Sequence, residues 1–286
     1  VHLKAWLLAS RPKTLPAAIV PVWSGALLAW HLTGEFDLRL AILTVLGAVF
    51  IQIATNFFND VIDAEKGADT EARLGPQRAT ASGLLSRRAV YLGAALMLLL
   101  ASIVGCLLFL ERGWWIIAIG VPSLYLSYGY TGGPLPLAYR GLGEVFVILF
   151  FGLVAVGGTV FIQTGQWLAE SWILGLQIGF LSAALIAINN YRDLEEDRAV
   201  RKRTIVVRFG RPKVKMLILA MTVLPYLLIL AHEMSGWFIA ASIPGLLFFV
   251  IVYRLISPSR VPAALLGIAA LHLIVFVLVQ NIVMIF

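Results

Sequence analysis

Two short stretches hold most of the acid in this chain: NFFNDVIDAEKGAD, residues 56–69, and NNYRDLEEDR, residues 189–198. Asn56 and Asp60 lie four residues apart, as do Asn59 and Asp63, and Asn189, Asp193 and Asp197 continue the same spacing. That interval puts the members of each series on one face of a continuing helix. Carboxylates one turn apart repel each other, so a cation is expected beside each series. Either stretch alone reads as the solvated end of a helix. Together they read differently, because both contain an asparagine followed by an aromatic residue, with an aspartate at the eighth position (Asn56 to Asp63, Asn190 to Asp197). Each closes an even-numbered apolar segment, four segments apart. Such a repeat is expected to bring two acidic stripes face to face across a central cavity.

Mg²⁺ is the cation that best suits these groups, since it takes oxygen ligands octahedrally and accepts one or two carboxylates together with phosphate oxygens and water. The same loops supply Lys66, Arg73, Arg78, Arg192, Arg198, Arg201, Lys202, Arg203 and Arg208. Acid, base and metal together suit a diphosphate. A cation channel would call for acid alone, and a proton relay for carboxylates deep in the apolar segments. Thiol or imidazole chemistry is not expected: Cys106 is the only cysteine, and His2, His31, His232 and His272 have no ligand spacing.

The elements that must position these groups are membrane helices. Hydrophobic residues make up 60% of the 286 positions and charged ones 13%, with a mean hydropathy of +0.93, where a soluble domain carries about 25% charge. Apolar runs of about 20 residues, enough to cross a bilayer, recur along the chain. Nine spans are expected, at 15–33, 38–59, 89–110, 114–131, 142–164, 171–191, 214–233, 237–255 and 262–286. Pro122, Pro225 and Pro244 fall inside spans and should kink or unwind them. The expected fold is an all-α, polytopic membrane protein. It forms one domain over 1–286, with two parallel halves at about 1–131 and 142–255 and a ninth helix. Twenty of the 22 basic residues fall on one side of this topology, leaving Arg39 and Arg112 on the other. The excess puts the N-terminus and both acidic loops in the cytoplasm. The net charge of +7 is therefore a topological signal, and nucleic acid is not an expected partner. No cleavable signal peptide is expected either, since a second apolar run follows the first at once.

At this point the residues match a known family. The motifs Asn59-Asp60-Val61-Ile62-Asp63 and Asp193-Leu194-Glu195-Glu196-Asp197 resemble the two signatures of the UbiA superfamily of intramembrane aromatic prenyltransferases, N-D-x-x-D and D-x-x-x-D. The stretches 11–25, 59–78, 130–144 and 189–210 are most similar to the menaquinone branch of that superfamily. Two departures stand out. Asp69 follows Asp63 by six residues where many members have four, and Arg201 stands where a glycine is expected.

The resemblance implies a nine-helix bundle in the cell membrane and transfer of a polyprenyl group from its diphosphate to dihydroxynaphthoate. It implies Mg²⁺, as two ions bridged by the diphosphate. The implied metal ligands are Asn59, Asp63, Asp193 and Asp197, with Asp60 and Asp69 as further members. Asp63 and Asp193 are the acids expected to matter most for turnover. Lys66, Arg73, Arg78, Arg140 and Lys202 are the candidate diphosphate contacts. Tyr128 and Tyr130, with Tyr125, either wall an allylic cation by cation–π contact or belong to the ordinary interfacial aromatic belt. Arg11 and Lys13 either meet a carboxylate or anchor the first span, and Asn56 and Asn189 are further candidate substrate contacts. Gly143, Gly152, Gly157 and Gly158 either let helices approach or leave room for the prenyl tail. Another aromatic acceptor, such as 4-hydroxybenzoate, and a membrane transporter remain the competing readings.

Overall fold

Backbone N–H and C=O groups in lipid must be satisfied within their own segment, which makes each long apolar run a helix. The computed structural model describes residues 2–67, 78–230, 237–256, 262 and 264–285, and among these it contains no strand. The helices are α1 His2–Ser10, α2 Pro16–Thr33, α3 Leu38–Glu65, α4 Arg87–Arg112, α5 Trp114–Gly129, α6 Gly143–Thr164, α7 Ala169–Arg192, α8 Leu194–Ala199, α9 Ile205–Leu230, α10 Trp237–Leu255 and α11 Ala264–Ile285. Six of them (α3, α4, α6, α7, α9 and α11) are long and apolar enough to cross a membrane. The pair α1 and α2, bent by 47° at their junction, makes a seventh if counted as one span.

Helices overlap the nine expected ranges, but over their described residues α5 and α10 are not among those long and apolar enough to cross, and three further details differ. Helix α1 was not expected. It forms because Ala5 and Ala9 bury against Ala54, Phe57 and Val61 of α3, while the Trp6 ring meets Phe57 edge-on at 5.3 Å. Helix α9 begins nine residues before the expected 214, and Gly210, at φ 78° and ψ 161°, breaks it there. The helices run through Pro122, Pro225 and Pro244.

The third difference is a π-helical turn in α6, at Ile148–Val154. Here α6 presses on α7 so closely that a Cβ on Gly152 would lie 2.3 Å from the Gly175 carbonyl oxygen. Helix α7 is the hub, since two apolar clusters meet on it. One joins Leu28 and Ala29 of α2, Val156 of α6 and Phe276 of α11 around Ile178; the other packs Ile218 of α9 and Val252 of α10 against Ile188. At the end remote from the acidic stretches, Asp37 caps α3 by accepting from Leu40 N–H at 3.0 Å. Its own N–H donates to Gln163 Oε1 at 2.9 Å. Arg112 caps the C-terminus of α6 by donating to the carbonyls of Ile162 and Gln163. Asp37, Arg39, Glu111 and Arg112 are thus spent on ties between helix ends, and the other end of the bundle is left for chemistry.

Candidate active site

Helix α3 stays regular to Glu65, so its last two turns hold Asn59, Asp60 and Asp63 as their spacing predicts. Asp63 accepts from the Tyr139 hydroxyl at 2.8 Å and from Arg78 at 3.1 Å. Asp60, 1% exposed, accepts from the Thr80 N–H at 3.3 Å, and Arg11 stands within electrostatic reach of it. Asn59 accepts from the Thr131 hydroxyl, and the Thr131 carbonyl accepts from Lys66 Nζ at 2.7 Å. Asn56 turns elsewhere: its amide donates to the Ser10 carbonyl at 2.8 Å and to Thr14 Oγ1 at 2.9 Å, fixing the bend between α1 and α2.

The second stretch breaks its helix at Asp193 (φ −90°, ψ 16°). The bonds Asp193 N–H to Asn189 O (3.0 Å) and Asp197 N–H to Asp193 O (2.8 Å) carry the helical register across, so the stripe survives the break. Arg192 grips both Asp193 oxygens, at 2.5 and 2.8 Å, and also donates to Asn189 Oδ1. Asp197 is 5% exposed. Its Oδ1 pairs with Lys202 at 3.2 Å, while Oδ2 is buried with no hydrogen-bond partner. Burial pushes the Asp197 carboxyl above the usual range, and Lys202 offsets only part of this. The turn that returns Lys202 to Asp197 needs a left-handed residue, and Arg201 supplies it at φ 56°. That is where the sequence led to an expectation of glycine.

Tyr139 joins the two stretches, and sequence reasoning missed it in favour of its neighbour Arg140. Its hydroxyl holds Asp63, Lys66 Nζ sits 3.8 Å from its ring centroid, and Lys202 Nζ lies 5.8 Å from the same ring. Asp63, Tyr139, Lys202 and Asp197 therefore form one connected series across the bundle. The loop carrying Tyr139 is tied in place by the Arg203 N–H, which donates to the Tyr139 carbonyl at 3.0 Å. Gly141 permits that closeness twice over, having φ 67° and no Cβ to strike the Arg203 carbonyl oxygen 2.8 Å away. The only sequence signal was an aromatic residue beside Arg140, the one basic residue of its inner loop.

Glu144 was also missed, because it opens an apolar span. It is 2% exposed, and Asn190 donates to its Oε1 at 2.9 Å. Tyr130 rests against this region: its ring packs on Phe146 at 5.1 Å, and its hydroxyl lies 3.1 Å from where a Gly143 Cβ would stand. Tyr128, 37% exposed, meets Phe58 edge-on. Arg140 is exposed, its guanidinium donating to the Pro134 carbonyl and its own carbonyl accepting from Arg208, and Lys13 is exposed on the turn Pro12–Thr14. Asp69 and Arg73 lie outside the described residues. Among the described residues, no three Asp, Glu, His or Cys side chains converge on one metal position.

Beyond the Tyr130–Phe146 contact, a cavity of about 620 Å³ runs among α2 to α6, lined by Val22, Gly105, Gly120, Phe146, Phe150 and Gly158 among others. Val121, 58% exposed, and exposed Cys106 also line it, so it opens sideways between α4 and α5. The glycine alternatives divide accordingly. Gly152 and Gly157 are in close helix contact, Gly157 with Trp172 at 2.9 Å, whereas Gly158 faces the cavity.

An acid-and-base cluster at one end of a helical bundle, above a long apolar cavity, is the architecture of an enzyme that works on a lipid diphosphate inside the bilayer. The UbiA prenyltransferase family model matches residues 18–281, and the chain belongs to that family. It is 33% identical over 245 residues to the 1,4-dihydroxy-2-naphthoate octaprenyltransferase of Haemophilus influenzae, covering 82% of this chain and 80% of that one. It is 35% identical over 263 residues to the protein of the same name from Mycobacterium tuberculosis, covering 89% and 86%. Among solved structures, the fold is shared with a UbiA homolog from Archaeoglobus fulgidus bound to GPP and Mg²⁺, at TM-score 0.71 and 14% identity over 99% and 100% of the two chains. It is shared too with the apo UbiA homolog from Aeropyrum pernix, at TM-score 0.73 and 17% identity over 96% and 99%.

Proposed function

We propose that this membrane enzyme transfers a polyprenyl group from polyprenyl diphosphate to 1,4-dihydroxy-2-naphthoate, with loss of CO2 and diphosphate, giving the reduced, quinol form of demethylmenaquinone. The observation that carries the reading is the connected series Asp63–Tyr139–Lys202–Asp197 above the apolar cavity. It supplies hard oxygen donors, fixed cations and a place for a long hydrocarbon together. The relatives named for this reaction support the acceptor.

The donor set fits Mg²⁺. Asp197 Oδ2 is a buried carboxylate oxygen without a partner, and Mg²⁺ needs few protein carboxylates when substrate phosphates and water complete its octahedron. Asn59, Asp60, Asp63, Asp193 and Asp197 would hold it, with Asp69 as a further candidate ligand. When bound, the metal neutralises the charge that develops on the departing diphosphate. Lys66, Arg78 and Lys202, with Arg73, bind the phosphate oxygens, and Tyr139 holds Lys66 and Lys202 in place by its π face. Tyr130, Tyr128 and Phe146 keep water from the allylic carbon and face its developing positive charge. Tail and reacting carbon are thus held on opposite sides of an aromatic gate. On the same reading the chain crosses the cell membrane as a nine-helix bundle with two parallel halves, its N-terminus and acidic loops on the cytoplasmic side.

The test is an assay of purified protein in detergent with polyprenyl diphosphate, Mg²⁺ and either dihydroxynaphthoate or 4-hydroxybenzoate. Prenylated naphthoquinol that disappears on chelation is expected. Preference for hydroxybenzoate, or turnover indifferent to chelation, refutes the reading.

A further inference from the structure

The buried carboxyl of Glu144 has no part in diphosphate handling as described so far. It sits in the first turn of α6, between the cluster of Asp197 and Lys202, both within its electrostatic reach, and the mouth of the apolar cavity, which begins two residues on at Phe146. Asn190, next to the acidic stripe on α7, holds Oε1 at 2.9 Å. The other oxygen, Oε2, is buried with no hydrogen-bond partner. A carboxyl oxygen withheld from water and left unpaired costs free energy unless something donates to it. The region between Glu144 and the cavity lining at Phe146 is where an aromatic acceptor must stand to meet the allylic carbon, because on the reading above the diphosphate is held on one side and the tail on the other.

We infer that Glu144 Oε2 accepts the proton of a hydroxyl on the aromatic acceptor, making Glu144 a catalytic residue of the acceptor side. This rests on the prenyl-transfer reading above. As the ring's π electrons form the bond to the allylic carbon, the carbon–oxygen bond to diphosphate breaks and the diphosphate leaves with that electron pair. The hydroxyl oxygen collapses to a carbonyl and its proton passes to Oε2, so no formal charge remains on the ring. Asn190 is a positioning residue that keeps Oε2, rather than Oε1, turned to the ring. A ring ether in place of the critical hydroxyl has no proton to give, so the same carboxyl also selects for free hydroxyls.

The experiment compares the wild-type enzyme with Glu144→Gln, which keeps size and shape but replaces the receiving oxygen. Acceptors are dihydroxynaphthoate and its two monomethyl ethers. Donor KM, thermal midpoint and Mg²⁺-dependent hydrolysis of the allylic diphosphate without acceptor are measured alongside. The expected result is that wild type loses about 10²-fold in kcat/KM on one of the two ethers, the lower end of what a positioned base contributes. Glu144→Gln is expected to lose a similar factor on the diol and nothing further on that ether, while donor KM and diphosphate hydrolysis stay within twofold. Equal wild-type activity on the diol and both ethers overturns the inference even if the variant does not fold. So does a Glu144→Gln enzyme that keeps its preference for the diol, or one that loses hydrolysis and prenyl transfer in parallel. Wild type that prenylates no naphthoate at all overturns the prenyl-transfer reading instead, and is recognised by the wild-type diol arm alone.

Discussion

Replacing Tyr139 by phenylalanine separates the two things this side chain does. The substitution deletes the hydroxyl that donates to Asp63 at 2.8 Å but leaves the ring under Lys66, 3.8 Å from its centroid. A hydrogen bond to a charged group contributes about 1.5–3 kcal/mol. Because Tyr139 is only half-buried and Arg78 also holds Asp63, the lower figure applies. At 1.36 kcal/mol per decade, that gives roughly a tenfold loss of transfer rate at limiting Mg²⁺. Tyr139→Leu removes the ring as well. Cation–π contacts at exposed sites contribute about 0.5–1 kcal/mol, so the leucine variant should lose roughly two- to fivefold more, expressed in donor KM. The assay is prenyl transfer as a function of Mg²⁺ and of donor concentration, with acceptor saturating. The phenylalanine variant should need more Mg²⁺ at unchanged donor KM, and leucine should raise donor KM too. If both variants behave as wild type, or if both change only acceptor KM, Tyr139 does not link the two acidic stretches and the connected series has no functional meaning.

Four further outcomes follow from other residues. Gly158→Leu, whose Cβ would meet Ile119 Cδ1 at 3.4 Å and no other described residue within 4 Å, should fill the cavity and slow long donors far more than geranyl diphosphate, as chain-length-resolved product analysis would read. Gly152→Ala instead drives a methyl to 2.3 Å from the Gly175 carbonyl, an overpacking that costs about 1–3 kcal/mol and should lower the thermal midpoint with every donor. Arg201→Gly relieves a left-handed backbone at φ 56° that costs an ordinary residue about 1–2 kcal/mol; a greater freedom of the unfolded chain offsets part of this. The variant should therefore melt at or above wild type, and a clear drop would mean that the Arg201 side chain matters for itself. Asp197 has its pKa raised by burial, so its neutral form favours the apo fold at acid pH, and that contribution is lost as pH rises through the raised value. Mg²⁺ prefers the charged form, hence its stabilisation of the thermal midpoint should grow from mildly acidic to neutral pH, and a pH-independent Mg²⁺ shift would contradict this.

Local chemistry made much of this protein legible from its sequence. Hydropathy alone marks a helix at each of nine ranges, because a backbone in lipid has no partner but itself. The four-residue spacing of Asn59 with Asp63, and of Asp193 with Asp197, marks shared faces before any contact is known, and the structure keeps those faces even where α7 breaks at Asp193. The expected glycine at 201 is a backbone requirement, and the left-handed conformation persists although arginine occupies it. What the sequence could not reveal depends on which segments meet. Tyr139 gains its importance only when its loop is pinned between Lys66 and Lys202, which are 136 positions apart in the chain. Glu144 looks like the boundary of a span until Asn190, on another helix, closes over one of its oxygens and leaves the other bare. Glycines 152 and 158 are the same residue type six positions apart, yet one meets a backbone and the other a void. Periodicity reports the face a side chain takes on its own helix; the neighbour that face meets is decided by packing between distant segments, and that information exists only in three dimensions.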